Sequence, residues 1–221
     1  MLEDLKGRVV ATAKQAQHDG MCKHGSGNFS MREEGSELVV ITPSGVDREA
    51  LVPEDMIVMD MDAHVIEHKH GLKPSSETLM HLAVYRSRPD VRAAAHTHSM
   101  YATVCAILSQ PIPAVVYEMQ YLNAAKGTIP IARYARPGSS ELARSVVGPL
   151  SNSDACLLQA HGSLAVDEGS IEKAYLKSCY VEEIAELYYH SCLLGGKEPP
   201  SLPAEELQNW TYPSEITFLD D

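Results

Sequence analysis

The sequence predicts a single domain of the α/β class, with a mixed sheet covered by helices on both faces. At 221 residues and 44% hydrophobic content, the chain can bury one sizeable core. Segments with strand and helix periodicity are intermixed without a strict βαβ rhythm, which favours a mixed sheet over an all-parallel one. We therefore expect one domain over residues 1–221, with residues 199–221 as a C-terminal tail.

The first quarter of the chain predicts a helix, a loop and a strand in that order. Apolar residues recur at helical spacing from Leu2 to Ala16, and Gly20 follows at a position typical of a helix C terminus. Residues 24–30 (HGSGNFS) are so rich in glycine and hydroxyl groups that they predict a loop. Residues 38–42 (LVVIT) predict a strand that ends in the turn 43–45.

The middle of the chain predicts three strands and one helix. Residues 56–60 and 64–67 have the composition of two short strands. The pair Ser75-Ser76 opens a helix that runs to about Arg86 and is closed by Pro89. The apolar run 91–95 then leads directly into His96-Thr97-His98, which predicts a further strand.

The C-terminal part predicts helices around a pair of strands, followed by a proline-rich tail that is either docked or mobile. Serine caps and terminal glycines set the expected bounds. The elements are helices over 101–108 and 139–150, strands over 156–160 and 163–166 that flank His161-Gly162, and the longest helix from Ser170 to about Leu194.

Composition excludes several classes of function. Thirty acidic against eighteen basic residues give a formal charge of -12, which argues against binding to nucleic acid or to an anionic membrane. An anionic substrate would have to be held by a metal, backbone N–H groups or hydroxyls. The five cysteines form no Cys-x-x-Cys pair, and no apolar run of about 18 residues occurs. A cytoplasmic protein is the expectation.

Three histidines and one glutamate are candidate metal ligands. Because side chains alternate along a strand, His96 and His98 project to the same side. His161 ends an apolar strand before Gly162, and Glu77 lies in the first turn of its helix. Taken singly, each has an ordinary structural explanation. Together they suit zinc, or less specifically manganese or cobalt, with His81 as a lower-ranked fourth imidazole.

Three short segments share a chemistry suited to anions. Each offers backbone N–H groups, hydroxyls or an amide, and the last also opens a helix. Singly they are common turn and cap residues, whereas collectively they could hold a phosphate without lysine or arginine. Because the last segment adjoins Glu77, that phosphate would lie close to the metal. The segments are Gly27-Asn28, Ser44-Gly45 and Ser75-Ser76.

With these residues assembled, the chain resembles the class II aldolase and adducin head family. Among its members, it looks most similar to L-fuculose-1-phosphate aldolase, with L-ribulose-5-phosphate 4-epimerase a further relative. The resemblance runs in order over about residues 5–195. The matching segments are Gly27-Asn28-Phe29-Ser30, Ile41-Thr42-Pro43-Ser44-Gly45, Lys73-Pro74-Ser75-Ser76-Glu77, Arg88-Pro89-Asp90, His96-Thr97-His98-Ser99, Ile112-Pro113-Ala114, Tyr134-Ala135 and His161-Gly162.

The resemblance implies a role for each candidate residue. Glu77, His96, His98 and His161 correspond to the zinc ligands, and Gly27, Asn28, Ser44, Gly45, Ser75 and Ser76 to the phosphate cradle. Tyr117 corresponds to a proton donor or acceptor in the site of the adjacent subunit. The family also implies a homotetramer with sites at subunit interfaces, and a three-layer α/β/α core with a largely antiparallel sheet.

The implied reaction is reversible cleavage of a ketose 1-phosphate to dihydroxyacetone phosphate and a short aldehyde such as L-lactaldehyde. Zinc would act as electron sink, and Glu77 would move a proton at the dihydroxyacetone phosphate carbon. Epimerase relatives usually have aspartate at the position of Glu77, so glutamate favours the aldolase branch. The sequence departs from the sugar aldolases at Val116, Arg136-Pro137 and Ser163, so the resemblance does not fix the specificity for the aldehyde half of the substrate.

Three other hypotheses remain at this point. The same site could serve a sugar-phosphate 4-epimerase, or a dehydratase or decarboxylase of a related phosphorylated sugar. The fold could also be a non-catalytic interaction domain like the adducin head, although retention of all four ligand positions argues against it. In the tail, Trp210, Tyr212 and Phe218 could cover the substrate or simply anchor the chain.

Overall fold

The computed structural model describes residues 2–209 and contains one large sheet with helices on both of its faces. The strands are β1 (Asn28–Arg32), β2 (Leu38–Ile41), β3 (Ile57–Asp60), β4 (Val65–Glu67), β5 (Ala93–Thr97), β6 (Ile112–Pro113), β7 (Thr128–Ile129), β8 (Ile131–Ala132), β9 (Ala155–Leu158) and β10 (Gly162–Asp167). The helices are α1 (Glu3–His18), α2 (Thr78–Ser87), α3 (Met100–Ile107), α4 (Ser140–Ser145), α5 (Val147–Leu150), α6 (Ile171–Gly195) and α7 (Ala204–Asn209). Short 3-10 helices cover Arg48–Ala50, Pro53–Asp55 and Tyr117–Leu122.

The main sheet has eight strands in the order β4-β3-β2-β1-β5-β10-β9-β8. Every neighbouring pair in it is antiparallel except β8 and β9, which are parallel. Strands β6 and β7 form a separate two-stranded sheet. The prediction of a mixed, largely antiparallel central sheet is therefore confirmed.

Both faces of the sheet are buried. Along β2, Val39 and Ile41 belong to a core cluster under α2 and α4, whereas Val40 between them belongs to a second cluster under α1 and α6. Strand β5 alternates in the same way, with Ala94 on one side and Ala93 on the other. A strand buried on both faces has no polar side to expose, so its sequence is a continuous apolar run. The three layers therefore follow from this alternation.

The predicted loop over residues 24–30 is wrong from Asn28 onward, because β1 begins there. This strand lies in the middle of the sheet and pairs with both β2 and β5. Phe29 and Met31 are buried in one core cluster, and Ser30 points to the opposite face. Pairing on both edges satisfies the backbone polar groups of a segment whose own composition is that of a loop.

Two predicted helices have different bounds in the structure. Helix α2 begins at Thr78, because the Ser75 N–H is bonded to the Thr42 carbonyl and the Glu77 N–H to Ser75 Oγ. The predicted helix 139–150 is split after Ser145 into α4 and α5. Pro149 explains the break, since its ring clashes with the carbonyl four residues earlier.

The tail is docked over the part that the structure describes. The Leu202 N–H donates to the Ala114 carbonyl, and Leu207 of α7 is buried beside the residues of the 3-10 helix Tyr117–Leu122. Trp210, Tyr212 and Phe218 lie outside the described residues. Among residues 2–209, no helix has the length and apolar content needed to span a membrane.

Candidate metal centre and anion site

The four predicted metal ligands come from three places in the fold that meet at one end of the central strands. His96 lies in β5 and His98 immediately after it, with both side chains on the same side as the alternation predicts. His161 occupies the turn between β9 and β10, and β10 pairs with β5. Glu77 stands at the N-cap of α2. The fold thus brings together residues that are up to 84 positions apart in the sequence.

The ligand atoms of these four residues all lie within 4.8 Å of one another. The Nε2 atoms of His96 and His98 are 2.9 Å apart, and His96 Nε2 is 3.0 Å from Glu77 Oε2. His161 Nε2 is 3.4 Å from the other carboxylate oxygen, Oε1. Ligand atoms around tetrahedral zinc are separated by roughly 3.3 Å, given bonds of about 2.0–2.1 Å. The cluster therefore has the dimensions of a divalent metal site.

A hydrogen bond to the other ring nitrogen of His96 leaves its Nε2 free to bind such an ion. His96 Nδ1 is 2.8 Å from the Ser163 carbonyl, which can only accept, so Nδ1 donates and Nε2 keeps its lone pair. Two buried polar atoms of the cluster, Glu77 Oε1 and His161 Nδ1, have no hydrogen-bond partner among the described residues. A cation between Oε1 and the imidazoles would satisfy the first of them.

The electrostatics of the cluster favour the protonation states that metal binding requires. Burial lowers the pKa of His98 to about 3 and that of His161 to about 4, so both imidazoles are neutral at pH 7. Burial opposes ionisation of Glu77, but its contacts with His96, His161 and the Asn28 amide together hold the pKa of the carboxyl well below its ordinary value. A carboxylate with neutral imidazoles is the donor set that zinc, manganese or cobalt would take.

A buried hydrogen-bond chain supports Glu77 from behind. Asn28 Nδ2 donates to Glu77 Oε2 at 2.9 Å, which turns Asn28 Oδ1 toward His81 Nε2 at 2.5 Å. Because Oδ1 can only accept, His81 Nε2 donates and its Nδ1 accepts from Ser30 Oγ at 2.7 Å. The Tyr85 hydroxyl ends the chain as a donor whose one proton is shared between Ser30 Oγ at 2.6 Å and the Ser30 carbonyl at 3.1 Å. One direction of donation satisfies every member.

His81 is therefore not placed among the ligands. It is fully buried behind Asn28, and burial lowers its pKa to about 3. The amide of Asn28, which the sequence assigned to the phosphate cradle, is engaged with Glu77 and His81. Sequence reasoning missed this chain, although the spacing of Glu77 and His81 by one helical turn was a signal that the two are neighbours.

The structure joins two of the three predicted anion-binding segments through the backbone. The Ser44 N–H donates to the Lys73 carbonyl at 2.9 Å, and Pro43 and Pro74 form an antiparallel bridge. The turn 43–45 is thus held against the segment that carries Ser75 and Ser76. Gly45 has a positive φ of 70°, which suits a residue without a side chain.

Gly27 connects the glycine segment to the metal ligands. A Cβ on this residue would lie 2.7 Å from the His96 carbonyl oxygen and 2.3 Å from Cys22 Sγ, and its φ is 73°. Only glycine therefore lets the loop lie against the ligand-bearing strand. The neighbouring cleft, about 560 Å³, is lined by Gly25 on one side and Gly45 on the other.

Tyr117 is at the start of the 3-10 helix Tyr117–Leu122, with its ring edge-on to Tyr121 at 6.4 Å between centroids. This 3-10 helix packs against α6 and α7. The assignment of Tyr117 to the site of an adjacent subunit stays a prediction.

A largely antiparallel sheet is flanked by helices and carries three imidazoles and a carboxylate at one end of its central strands. These features define an α/β protein with a cluster that could hold a metal ion. The chain belongs to the class II aldolase family. The model of the Class II Aldolase and Adducin N-terminal domain matches residues 7–189, and this family membership identifies the protein as an aldolase, a lyase.

Relatives named for an aldolase activity support the same family. The chain is 34% identical to a 5-deoxy-D-ribulose 1-phosphate aldolase of Bacillus thuringiensis serovar kurstaki, over 95% of this chain and 94% of the relative. It is 36% identical to a 5-methylthioribulose-1-phosphate/5-deoxyribulose-1-phosphate aldolase of Rhodospirillum rubrum, over 92% and 88%. A solved structure of an L-fuculose 1-phosphate aldolase superposes with a TM-score of 0.87 at 34% identity, covering 93% of both chains.

Proposed function

We propose that this protein is a zinc-dependent aldolase that reversibly cleaves a ketose 1-phosphate to dihydroxyacetone phosphate and a short aldehyde, with manganese or cobalt as alternative ions. The observation that carries the proposal is the convergence of Glu77, His96, His98 and His161 beside segments suited to phosphate. The relatives named above share a ketose phosphate as substrate. Phosphate binding is assigned to Gly27, Ser44, Gly45, Ser75 and Ser76, whereas the amide of Asn28, the sixth residue of the predicted cradle, is engaged with Glu77 and His81.

In this reaction the bond between C3 and C4 of the ketose breaks, the C4 hydroxyl loses a proton and C3 gains one. A bound divalent ion would supply electrophilic stabilisation of the negative charge that develops on the substrate oxygens. Glu77 would transfer the proton at C3, because its carboxylate reaches the same space as the imidazoles. Tyr117 would accept the hydroxyl proton at C4.

The hydrogen-bond chain behind Glu77 bears on that role. Asn28 holds Oε2 at 2.9 Å, whereas Oε1 has no hydrogen-bond partner among the described residues and is the oxygen available for exchange of a proton. A fixed carboxylate orientation keeps the acceptor within about 0.5 Å of its productive position, as a site built on rigid elements requires.

The substrates named for the relatives differ only beyond C3. L-Fuculose 1-phosphate, 5-deoxyribulose 1-phosphate and 5-methylthioribulose 1-phosphate share a phosphorylated ketone half, and by carbon balance release L-lactaldehyde, acetaldehyde or methylthioacetaldehyde. We propose that the cluster and the anion segments recognise this shared half. These three ketoses therefore form the first substrate panel.

The test incubates metal-replete protein with each ketose 1-phosphate and measures dihydroxyacetone phosphate in an enzyme-linked assay, with NMR of the products. Cleavage of at least one substrate, abolished by chelator and by Glu77→Gln, is expected. No dihydroxyacetone phosphate from any ketose would refute the aldolase. An NMR spectrum with an unchanged carbon skeleton would indicate an epimerase or dehydratase, release of CO2 would indicate a decarboxylase, and protein without bound metal would indicate an adducin-like domain.

We further propose a cytoplasmic homotetramer in which Tyr117 completes the site of a neighbouring subunit. Tyr121, next to it, is exposed and stacks on Tyr180 at 5.0 Å, and Leu176 on the same helix as Tyr180 is also exposed. Apolar residues exposed together are typical of protein interfaces. The five cysteines are free, as a reducing compartment would leave them.

A complementation experiment tests the shared site. Glu77→Gln and Tyr117→Phe are each expected to be inactive alone, whereas subunits mixed after reversible dissociation should regain activity, because some sites then combine an intact Glu77 with an intact Tyr117. A mixture as inactive as the separate variants, despite subunit exchange shown by mass spectrometry, would contradict a site built from two subunits.

A further inference from the structure

Arg48 is a buried arginine that lies between two of the anion-binding segments. Only 2% of the residue is exposed, and it begins the 3-10 helix Arg48–Ala50 that follows the turn 43–45. Its Nη2 donates to the Gly27 carbonyl at 2.5 Å and to the Gly25 carbonyl at 3.2 Å. Its Nη1 donates to the Pro43 carbonyl at 3.3 Å. One side chain thus holds the glycine segment and the turn together.

The hydrogen bonds that the Arg48 guanidinium makes within residues 2–209 all go to backbone carbonyls. None of these hydrogen bonds is to a carboxylate, Asp47 acts on the guanidinium only through its charge, and Nε is buried without an acceptor among the described residues. A desolvated cation costs several kcal/mol, and carbonyl dipoles compensate only part of it. Burial accordingly lowers the pKa of Arg48. The positive charge of Arg48 is therefore only partly compensated by the residues around it.

The residues that Arg48 contacts adjoin each part of the anion site. Gly27 is itself one of the predicted phosphate-binding residues, and Pro43 precedes Ser44 and Gly45. Pro43 is also bridged to Pro74, which precedes the serines at the start of α2. The guanidinium therefore contacts the backbone of the glycine segment and of the turn 43–45. It is linked to the serine segment through the bridge between Pro43 and Pro74. In a chain of formal charge -12, it is a local positive charge at the place where an anion is expected.

We propose that Arg48 is a positioning residue of the substrate phosphate site: it fixes the two backbone segments that bind the phosphate and supplies the positive charge that the phosphate compensates. The inference rests on the proposed function and deepens it. The earlier expectation that phosphate is held without lysine or arginine is thereby modified, because an arginine acts through the backbone rather than by direct contact.

The experiment measures binding of inorganic phosphate by calorimetry to wild type, Arg48→Lys and Arg48→Met. Arg48→Met should bind about tenfold more weakly or worse, which corresponds to about 1.4 kcal/mol. Arg48→Lys keeps the charge and should recover part of the affinity. With an active substrate, KM should rise while kcat at saturation changes little. Equal phosphate affinity in all three proteins would overturn the proposal.

The matched control is Arg88→Met. Arg88 is also largely buried, but its charge is paired with Asp90 and Asp154, and neither of these residues belongs to an anion segment. This variant should lose stability and still bind phosphate as wild type does. A similar loss of phosphate affinity in Arg88→Met would show that general destabilisation explains the effect, and would refute a specific role for Arg48.

Two further measurements keep the proposal testable if both Arg48 variants fail to fold. In the wild-type protein, the buried Nε–H of Arg48 should give a slowly exchanging NMR resonance that shifts with phosphate, and a resonance unmoved at saturation would overturn the proposal. Phosphate binding should also survive chelation of the metal, since binding lost with the metal would place the anion on the ion. Neither result depends on aldol turnover, so a failure of the Arg48 proposal can be distinguished from a failure of the proposed aldolase activity.

Discussion

Substitution of Gly162 by alanine is expected to separate the metal ligands. A Cβ built at this position lies 2.3 Å from the Thr97 carbonyl oxygen, whereas carbon and oxygen atoms normally approach no closer than about 3.3 Å. Strand β10 would have to move about 1 Å away from β5. Because Thr97 lies between His96 and His98 while Gly162 follows His161, this movement pulls one ligand away from the other two.

The expected magnitude follows from that displacement. Overpacking of a buried position costs about 1–3 kcal/mol of stability, and loss of ligand alignment weakens metal binding roughly 10- to 100-fold. Metal affinity can be measured by competition with a chromophoric chelator, and stability by urea unfolding of the metal-free protein. The φ of Gly162 is not in the left-handed region, so the close contact alone is expected to cause these effects.

Gly7→Ala is the control, since nothing lies within 4 Å of a Cβ at this position in α1. It should leave metal affinity unchanged and raise stability by up to about 1 kcal/mol, as alanine does in a helix. If Gly162→Ala bound metal and unfolded as wild type does, the strand contact could not be what positions His161, and the steric argument would be refuted.

Two other predictions concern pH and metal. His81 has a pKa lowered by burial to about 3, below the value of about 6.5 in the unfolded chain, so stability is present above pH 6.5 and is lost as pH falls toward 3. Because His98 and His161 also have lowered pKa values, the contribution of His81 is measured as a difference: wild type should lose about 2 kcal/mol more stability than His81→Gln between pH 7 and 5 by urea unfolding, and an equal loss in both proteins would contradict this assignment. Chelation should lower the Tm by roughly 10 °C, because a metal at 1,000 times its Kd contributes about 4 kcal/mol and each kcal/mol is worth about 2–4 °C. A Tm unaffected by chelator in calorimetry would argue against a bound ion.

Local sequence patterns were sufficient for most elements. Ser139 and Ser170 cap their helices through the hydrogen bonds expected of them, and Gly196 ends α6 in a left-handed conformation. These features depend on neighbours within about four residues, which is why the sequence predicts them. The break after Ser145, which the predicted helix 139–150 lacks, also has a local cause, since Pro149 lies four residues later in the sequence.

Long-range pairing set the limits of prediction. The sequence of β1 is that of a loop, and only its position between β2 and β5 makes it a strand. The same pairing places Asn28 against Glu77 and turns His81 into a support for the carboxylate. No spacing in the sequence indicated that Arg48 would bridge Gly27 and Pro43, because these contacts join separate turns through space.

The sequence by itself determined the fold class and the candidate metal ligands. Strand alternation places His96 and His98 together, and the residue types at His161 and Glu77 limit the ion to one that accepts nitrogen and oxygen donors. The tertiary structure alone decided which buried groups support those ligands and which charge lies behind the anion segments. The physical reason is that periodicity is a local property, whereas the hydrogen-bond partners of a buried polar group depend on the register of strands distant in sequence.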